Sequence, residues 1–349
     1  MIFVIRTEVS PEIGNGHLMR CLTLCSKFRK RGAHIHLISK RLPIYIKEFL
    51  NFKGIKYHLI NLESCIGSKE DALKTRILLQ RIKNVDLLVV DSYEISEKWE
   101  KEMRLFTKKI LVIDDLANRR HECDFLIDQN LRNNQERYNN LVPNQAKIYL
   151  GPKYAFLREE FYKPNLPRLR RGKIKKVLVF FGSGDNTQEI LKVLKVIDEI
   201  TELNIQWNLL IGKNISINKY NFKKNINPNL NIIEYTDKIS KLILEADLGI
   251  GTCGVAAWER CFLGLPSIVV VTAENQLQDA EILDDKGAII NLGNSQDVSA
   301  EKLLSSINKL IMNGYLIERM SKNSLAILNG HIQAMNNIEN DILKSLQNI

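Results

Sequence analysis

The sequence predicts an α/β protein made of two similar halves, each a parallel sheet covered by helices. Three observations carry this. Short apolar, strand-like runs alternate with amphipathic segments of helical length through the first half. A second alternating series starts near residue 176. Between the two lies residues 161–176 (FYKPNLPRLRRGKIKK), with two prolines and a dense group of basic side chains. A chain of 349 residues also exceeds what one ordinary compact core holds.

In the first half the strand-like runs fall at 2–6, 34–39, 57–61, 85–90 and 110–114, with shorter ones at 124–127 and 147–150. In the second half they fall at 176–181, 205–211, 230–234, 247–250, 267–271 and 288–291, and three helical stretches fill 298–347. These patterns divide the chain into an N-terminal Rossmann-like domain (1–163), a linker (164–173) and a C-terminal Rossmann-like domain with the terminal helices (174–349). Ligands of such sheets bind outside the carboxyl ends of the strands, so the active site is expected in a cleft between the halves.

The stretch Gly14-Asn15-Gly16-His17 is the most informative of the chain. It follows the first strand and opens an amphipathic helix through Met19, Leu22, Leu24 and Phe28. A glycine-rich turn there brings backbone N–H groups close to a ligand, and the positive helix end favours an anion. That field also disfavours imidazolium, so His17 is expected to be neutral and to act as a base. Two further loops share this character. Gly182-Ser183-Gly184-Asp185-Asn186-Thr187 follows the strand ending at Phe181, and Gly249-Ile250-Gly251-Thr252-Cys253-Gly254 leads into the helix of Trp258 and Glu259. Each alone is an ordinary tight turn. Three at strand ends favour a diphosphate ligand.

The dinucleotide fingerprint is not met. Met19 stands where the third small residue belongs, and Ser39-Lys40-Arg41 stands where an acidic residue belongs. Glu259 reads either as an exposed or Arg260-paired carboxylate, or as an acceptor for a ribose diol. Asp114, Asp115 and Asp185 offer carboxylates to Mg²⁺, but Asp114-Asp115 at a strand end reads better as a loop cap.

Bulk properties exclude several classes. No apolar run spans a bilayer, and the N-terminus lacks a signal-peptide pattern, so a cytoplasmic protein with no stable membrane insertion is expected. The six cysteines show no paired metal-ligand spacing; Cys21 and Cys25, one helical turn apart, read as reduced structural thiols. The net charge of +10 suits acidic partners such as phosphorylated small molecules. Its densest cluster lacks interleaved aromatics, so no nucleic-acid partner is expected. His34, His36, His58, His121 and His331 show no partner pattern.

Taken together, IGNGHLMRCLTL (13–24), VVDSY (89–93), IDD (113–115), YAFLREEF (154–161), AWERCFLGLP (257–266) and ENQ (274–276) resemble the family of UDP-sugar hydrolases of pseudaminic acid biosynthesis. That family is similar to the MurG-type glycosyltransferases of GT-B architecture. The resemblance runs in order from residue 1 to about 293. It implies hydrolysis of UDP-2,4-diacetamido-2,4,6-trideoxy-β-L-altropyranose to UDP and the free sugar, without a metal or other cofactor. It matches His17 to the family's base, Glu259 to the glutamate that holds the ribose, Asn275 to a substrate-contacting asparagine and Tyr93 to a tyrosine beside the sugar. Gly14, Asn15, Gly16, Arg158, Gly182, Ser183, Gly184 and Gly254 complete the expected substrate and UDP contacts. Arg6-Thr7-Glu8 departs from the family's Arg-x-Asp. The implied chemistry is one displacement by water, with inversion at the anomeric carbon. A GT-B glycosyltransferase, a hydrolysing UDP-N-acetylglucosamine 2-epimerase and a non-catalytic nucleotide-sugar binder are the competing readings.

Overall fold

The computed structural model describes residues 1–9, 15–132, 136–162, 167–182, 186–200, 204–212, 227–234, 236 and 238–347. The chain forms two compact units. Unit 1 contains residues 1–156 and 330–349, and unit 2 residues 157–329.

Unit 1 is built from β1 (Ile2–Thr7), α1 (Gly16–Arg29), β2 (His34–Ser39), α2 (Ile44–Phe52), β3 (Lys56–Leu59), α3 (Lys69–Ile82), β4 (Val85–Asp91), α4 (Glu97–Met103), β5 (Thr107–Ile113), β6 (Phe125–Asp128) and β7 (Lys147–Leu150). Its seven strands are parallel, in the order β3-β2-β1-β4-β5-β6-β7. The order reverses between β1 and β4, which creates the crevice where such sheets take ligands.

Both faces of this sheet are buried, so its strands are apolar almost throughout. Alternate residues of one strand go to opposite faces. Phe3 and Ile5 pack against Leu18, Cys21, Leu24, Cys25 and Phe28 of α1. Val4, Leu88, Val90 and Val112 face Ala72 and Leu79 of α3 and Trp99 and Met103 of α4. Burial raises the thiols of Cys21 and Cys25, the latter to about 12, as suits inert core cysteines.

Unit 2 is built from β8 (Lys176–Phe180), α5 (Thr187–Glu199), β9 (Gln206–Leu210), β10 (Leu230–Ile233), α6 (Ile239–Glu245), β11 (Leu248–Gly251), α7 (Val255–Phe262), β12 (Ser267–Val271), α8 (Leu277–Asp285), β13 (Ile289–Asn294), α9 (Ala300–Ile311) and α10 (Gly314–Ile327). The six strands are parallel, in the order β10-β9-β8-β11-β12-β13, and reverse between β8 and β11. Val177, Val179, Trp207, Ile250 and Ile268 form its core with α5, α9 and α10. Every expected strand is present among the described residues, displaced by three residues or fewer at its ends.

The expected domain boundaries need two corrections. The last helix, α11 (His331–Gln347), belongs to unit 1 and not to the C-terminal half. Met335, Ile338 and Ile342 enter the core formed by α1 and β1. Arg31 pairs with Glu339 at 2.7 Å, and Asp341 takes Lys147 at 2.7 Å and the Tyr149 hydroxyl at 2.6 Å. The apolar stripe of α11 is legible in the sequence, but a stripe does not say which sheet it covers.

The second correction concerns the linker. Residues 164–166 lie outside the described residues, 167–173 are part of unit 2, and so are 157–162, expected in the N-terminal domain. Arg170 is buried and its guanidinium donates only to carbonyls: Ala246 O at 3.2 Å, Arg168 O at 2.7 Å, Ile243 O at 2.6 Å and Leu263 O. It thus closes the carboxyl ends of α6 and α7, where carbonyls lack helical partners. A side chain that reads as solvated charge is a core clamp.

Two outcomes are expected in urea unfolding. Ile338→Ala opens a cavity under α11 and lowers stability by about 2–5 kcal/mol. Arg170→Met strands several buried carbonyl oxygens and costs on the order of 3 kcal/mol, whereas the exposed Arg171→Ala changes stability by less than about 0.5 kcal/mol.

Candidate active site

Asn15 immediately precedes α1 and its carbonyl accepts the Met19 amide at 2.9 Å; Gly16 is the first helical residue. Among the described residues, a Cβ on Gly16 meets no atom within 4 Å. Gly14 lies outside the described residues. His17 occupies the first turn of α1.

Because β4 lies beside β1, with Thr7 opposite Asp91, the end of β4 comes under that first turn. His17 Nδ1 lies 2.6 Å from Asp91 Oδ1. Asp91 is fully buried. Burial pushes its carboxyl up, but the Arg20 guanidinium outweighs this and holds it well below the usual carboxylate range. A carboxylate only accepts, so Asp91 calls for the hydrogen on Nδ1, and with the hydrogen there Nε2 is the acceptor; Arg20 Nη2, itself a donor, lies 3.2 Å from the same Nδ1.

Arg20, one turn after His17, fixes the pair. It donates to Asp91 Oδ2 at 2.6 Å, to Asp91 Oδ1 at 2.7 Å and to Asp115 Oδ2 at 2.7 Å. Tyr93 donates its hydroxyl to the same Asp115 oxygen at 2.9 Å. Its ring meets the imidazole edge-to-face, with centroids 4.9 Å apart. Burial and Asp115 raise the Tyr93 phenol, which therefore stays protonated as a donor.

The other acidic candidates are occupied structurally. Asp114 accepts from Arg119 and the Ala117 amide, both at 2.8 Å, and from Tyr138 at 3.0 Å. Glu8 pairs with Arg6 and accepts the Ser39 hydroxyl and the Lys40 amide, each at 3.0 Å, so it ties the end of β1 to that of β2. Asp185 lies outside the described residues. Among the described residues, no group of three or more His, Cys, Asp or Glu side chains is arranged to hold a metal ion.

In unit 2 the sequence-predicted residues collect at the carboxyl ends of β8, β11 and β12. Gly182 has φ +95°, a conformation that favours glycine; Ser183 and Gly184 lie outside the described residues. Asn186 closes that loop by donating to Phe181 O at 2.9 Å. Gly251 has no alternative, since a Cβ there would sit 2.1 Å from Phe180 O. Gly254 caps α7, and its nearest neighbour on the Cβ side is Gln276 at 4.0 Å. Asn275 lies beside that residue, exposed in the short turn Glu274–Gln276.

Glu259 is buried and is neither exposed nor paired with Arg260. Arg158 donates to it through Nε at 2.8 Å and Nη2 at 2.9 Å, a two-pronged contact. Burial raises the Glu259 carboxyl, and Arg158 opposes this. Arg260 instead donates to Thr252 O at 2.7 Å and Ser267 Oγ at 3.1 Å, its other expected partner taken by Arg158. Sequence reasoning singled out His17, Tyr93, Arg158 and Glu259 but gave no role to Asp91 or Arg20. The available signal was that a basic histidine needs an acceptor to set its tautomer, and Asp91 stands at the end of a neighbouring strand.

Comparison with known proteins bears on the fold and the relationships. Residues 176–338 match the glycosyltransferase family 28 C-terminal domain. The chain is 30% identical over 308 residues to the uncharacterized protein MJ1062 of Methanocaldococcus jannaschii, covering 82% of this chain and 58% of that protein's length. It is 26% identical to the UDP-2,4-diacetamido-2,4,6-trideoxy-beta-L-altropyranose hydrolase of Campylobacter jejuni, covering 82% of this chain and 97% of the relative. The crystal structure of Acinetobacter baumannii MurG superposes with a TM-score of 0.65 at 15% identity, over 97% of this chain and all of that one. The fold is therefore GT-B: two parallel-sheet α/β domains with C-terminal helices. No helix among the described residues is long and apolar enough to cross a membrane.

Asp91→Asn leaves Arg20 buried with one carboxylate fewer, and a loss on the order of 3 kcal/mol is expected at pH 7 in urea unfolding. Because the folded state holds the Asp91 carboxyl below its ordinary value, its contribution is complete above about pH 4 and fades as pH falls. The gap between the variant and the parent protein should therefore narrow in acid.

Proposed function

We propose that this chain is a UDP-sugar hydrolase that releases UDP and the free sugar from UDP-2,4-diacetamido-2,4,6-trideoxy-β-L-altropyranose. The observation that carries the reading is the Asp91–His17 contact at 2.6 Å, which leaves Nε2 of the ring as an oriented acceptor. The Campylobacter relative's activity and the family-like positions Tyr93, Glu259 and Asn275 support the choice of substrate.

In this mechanism His17 Nε2 takes a proton from water as the water oxygen bonds to the anomeric carbon. The bond from that carbon to the UDP oxygen breaks, and its electron pair leaves with UDP. Attack on the face opposite UDP inverts the anomeric configuration. The diphosphate is a stable anion and needs little protonation, so an aimed base carries most of the catalysis. Asp91 stabilises the cationic ring that forms, and Tyr93 walls one side of it. The ribose hydroxyls donate to Glu259, whose carboxylate has acceptor capacity beyond its two bonds to Arg158.

A second reading, transfer of the sugar to a hydroxyl acceptor, is favoured by the family 28 match over 176–338 and by α2. Phe52 projects from the end of that helix into solvent beside Lys53, and Ile44 is exposed at its start, apolar and basic surface that the sequence alone did not reveal.

One experiment separates the two. Purified protein given the UDP-sugar and no acceptor should release UDP and the inverted sugar. Release only on adding an acceptor establishes transfer instead. His17→Ala should lower UDP release by about 100- to 10,000-fold while retaining UDP binding by calorimetry. Undiminished turnover in that variant rejects His17 as the base.

A further inference from the structure

We propose that Asp128 is a positioning residue for the chemistry at His17, acting through Asp115 and Arg20. The proposal rests on the reading of His17 as the base.

The sheet brings the two carboxyl groups together. Ile113 and Ile127 are opposite one another in the β5–β6 pairing, and the Asp114 amide donates to Ile127 O at 3.1 Å. The strand ends therefore place Asp114 opposite Asp128, with Asp115 the next residue along. Arg137 bridges them, donating through Nη2 to Asp115 O at 2.9 Å and lying 3.1 Å from Asp128 Oδ2 through Nη1.

Asp115 is unevenly satisfied. Its Oδ2 receives both Arg20 and Tyr93, while its Oδ1 is buried with no hydrogen-bond donor among the described residues. Asp128 accepts the Asn130 amide at 2.9 Å, and its Oδ2 lies 3.2 Å from the Tyr138 hydroxyl oxygen, which is also 3.0 Å from Asp114 Oδ2. The charged and titratable groups facing it are Asp115 and Asp114 from the end of β5, and Arg132, Arg137 and Tyr138 from the segment after β6.

Burial first, and then Asp115, push the Asp128 carboxyl up to about 7, with Arg137 opposing them. Its charge therefore changes near neutral pH, with Asp115, Arg20 and Asp91 standing between it and the base. When Asp128 is ionised, one more negative charge lies beside Asp115, and Arg20 is the cation shared between Asp115 and Asp91. That charge favours the cationic ring formed as His17 takes the proton from water. When Asp128 is protonated the support is lost.

The test measures kcat for UDP release between pH 6 and pH 8 in the parent protein, Asp128→Asn and Arg137→Gln. The parent should match Asp128→Asn near pH 6 and exceed it roughly fivefold at pH 8. Arg137→Gln should move the rise to higher pH, because the cation that favours the ionised form is gone. A ratio of parent to Asp128→Asn that stays the same at both pH values marks a merely structural residue and overturns the proposal. Unfolding gives a reading without turnover. A carboxyl raised in the folded state stabilises it most below about pH 4 and loses that stabilisation as pH rises through about 7. The parent should therefore lose stability over that range relative to Asp128→Asn, and equal slopes overturn the proposal. Absence of UDP release from the parent at every pH rejects the hydrolase reading, while the unfolding comparison still judges Asp128.

Discussion

One buried carboxylate organises the first unit. Asp91 has no solvent to share its charge, so it needs donors from the protein, and His17 and Arg20 supply them. The demand fixes the pitch of α1 over the end of β4, the tautomer of the imidazole and the place of the guanidinium. Arg20 then passes the constraint on to Asp115, and Asp115 to the Tyr93 hydroxyl. The first turns of α1 and the carboxyl ends of β4 and β5 are thereby held together by charge-assisted bonds.

The second unit meets a similar demand differently. Glu259 is a buried acid on a short helix, and its cation comes from Arg158, a hundred residues earlier in the chain. Both arrangements lie where the strand order of their own sheet reverses, β1 against β4 and β8 against β11. Parallel sheets leave a crevice at that point because neighbouring connections depart to opposite faces. Gly182 and Gly254 present no side chain at the carboxyl ends of β8 and β11, and Gly251 lets β11 pass close to the Phe180 carbonyl.

Much of this was legible in the sequence. Buried parallel strands read as apolar runs, and thirteen such runs became thirteen strands because nothing else satisfies short β-branched stretches between amphipathic segments. His17 was legible because a histidine after a glycine turn at a strand end has few structural reasons to be there. What escaped was partnership across long separations. Arg158 on Glu259, Asp91 on His17 and the carbonyl-bound Arg170 are all decided by where the backbone brings distant residues, and local spacing carries no trace of that. The same limit misplaced α11: its stripe of Met335, Ile338 and Ile342 fits a helical face without naming its sheet.

That return of α11 to the first unit has a consequence for biosynthesis. Residues 157–329 leave the ribosome before residues 330–349, so the second unit has its whole sequence in hand while the first still lacks a helix. Until translation supplies those residues, the patch beside α1 and β1 that later takes Ile338 and Ile342 stays bare. The unit made first is therefore the one finished last, and a nascent chain stalled near residue 330 would carry a complete second unit and an unsealed first one.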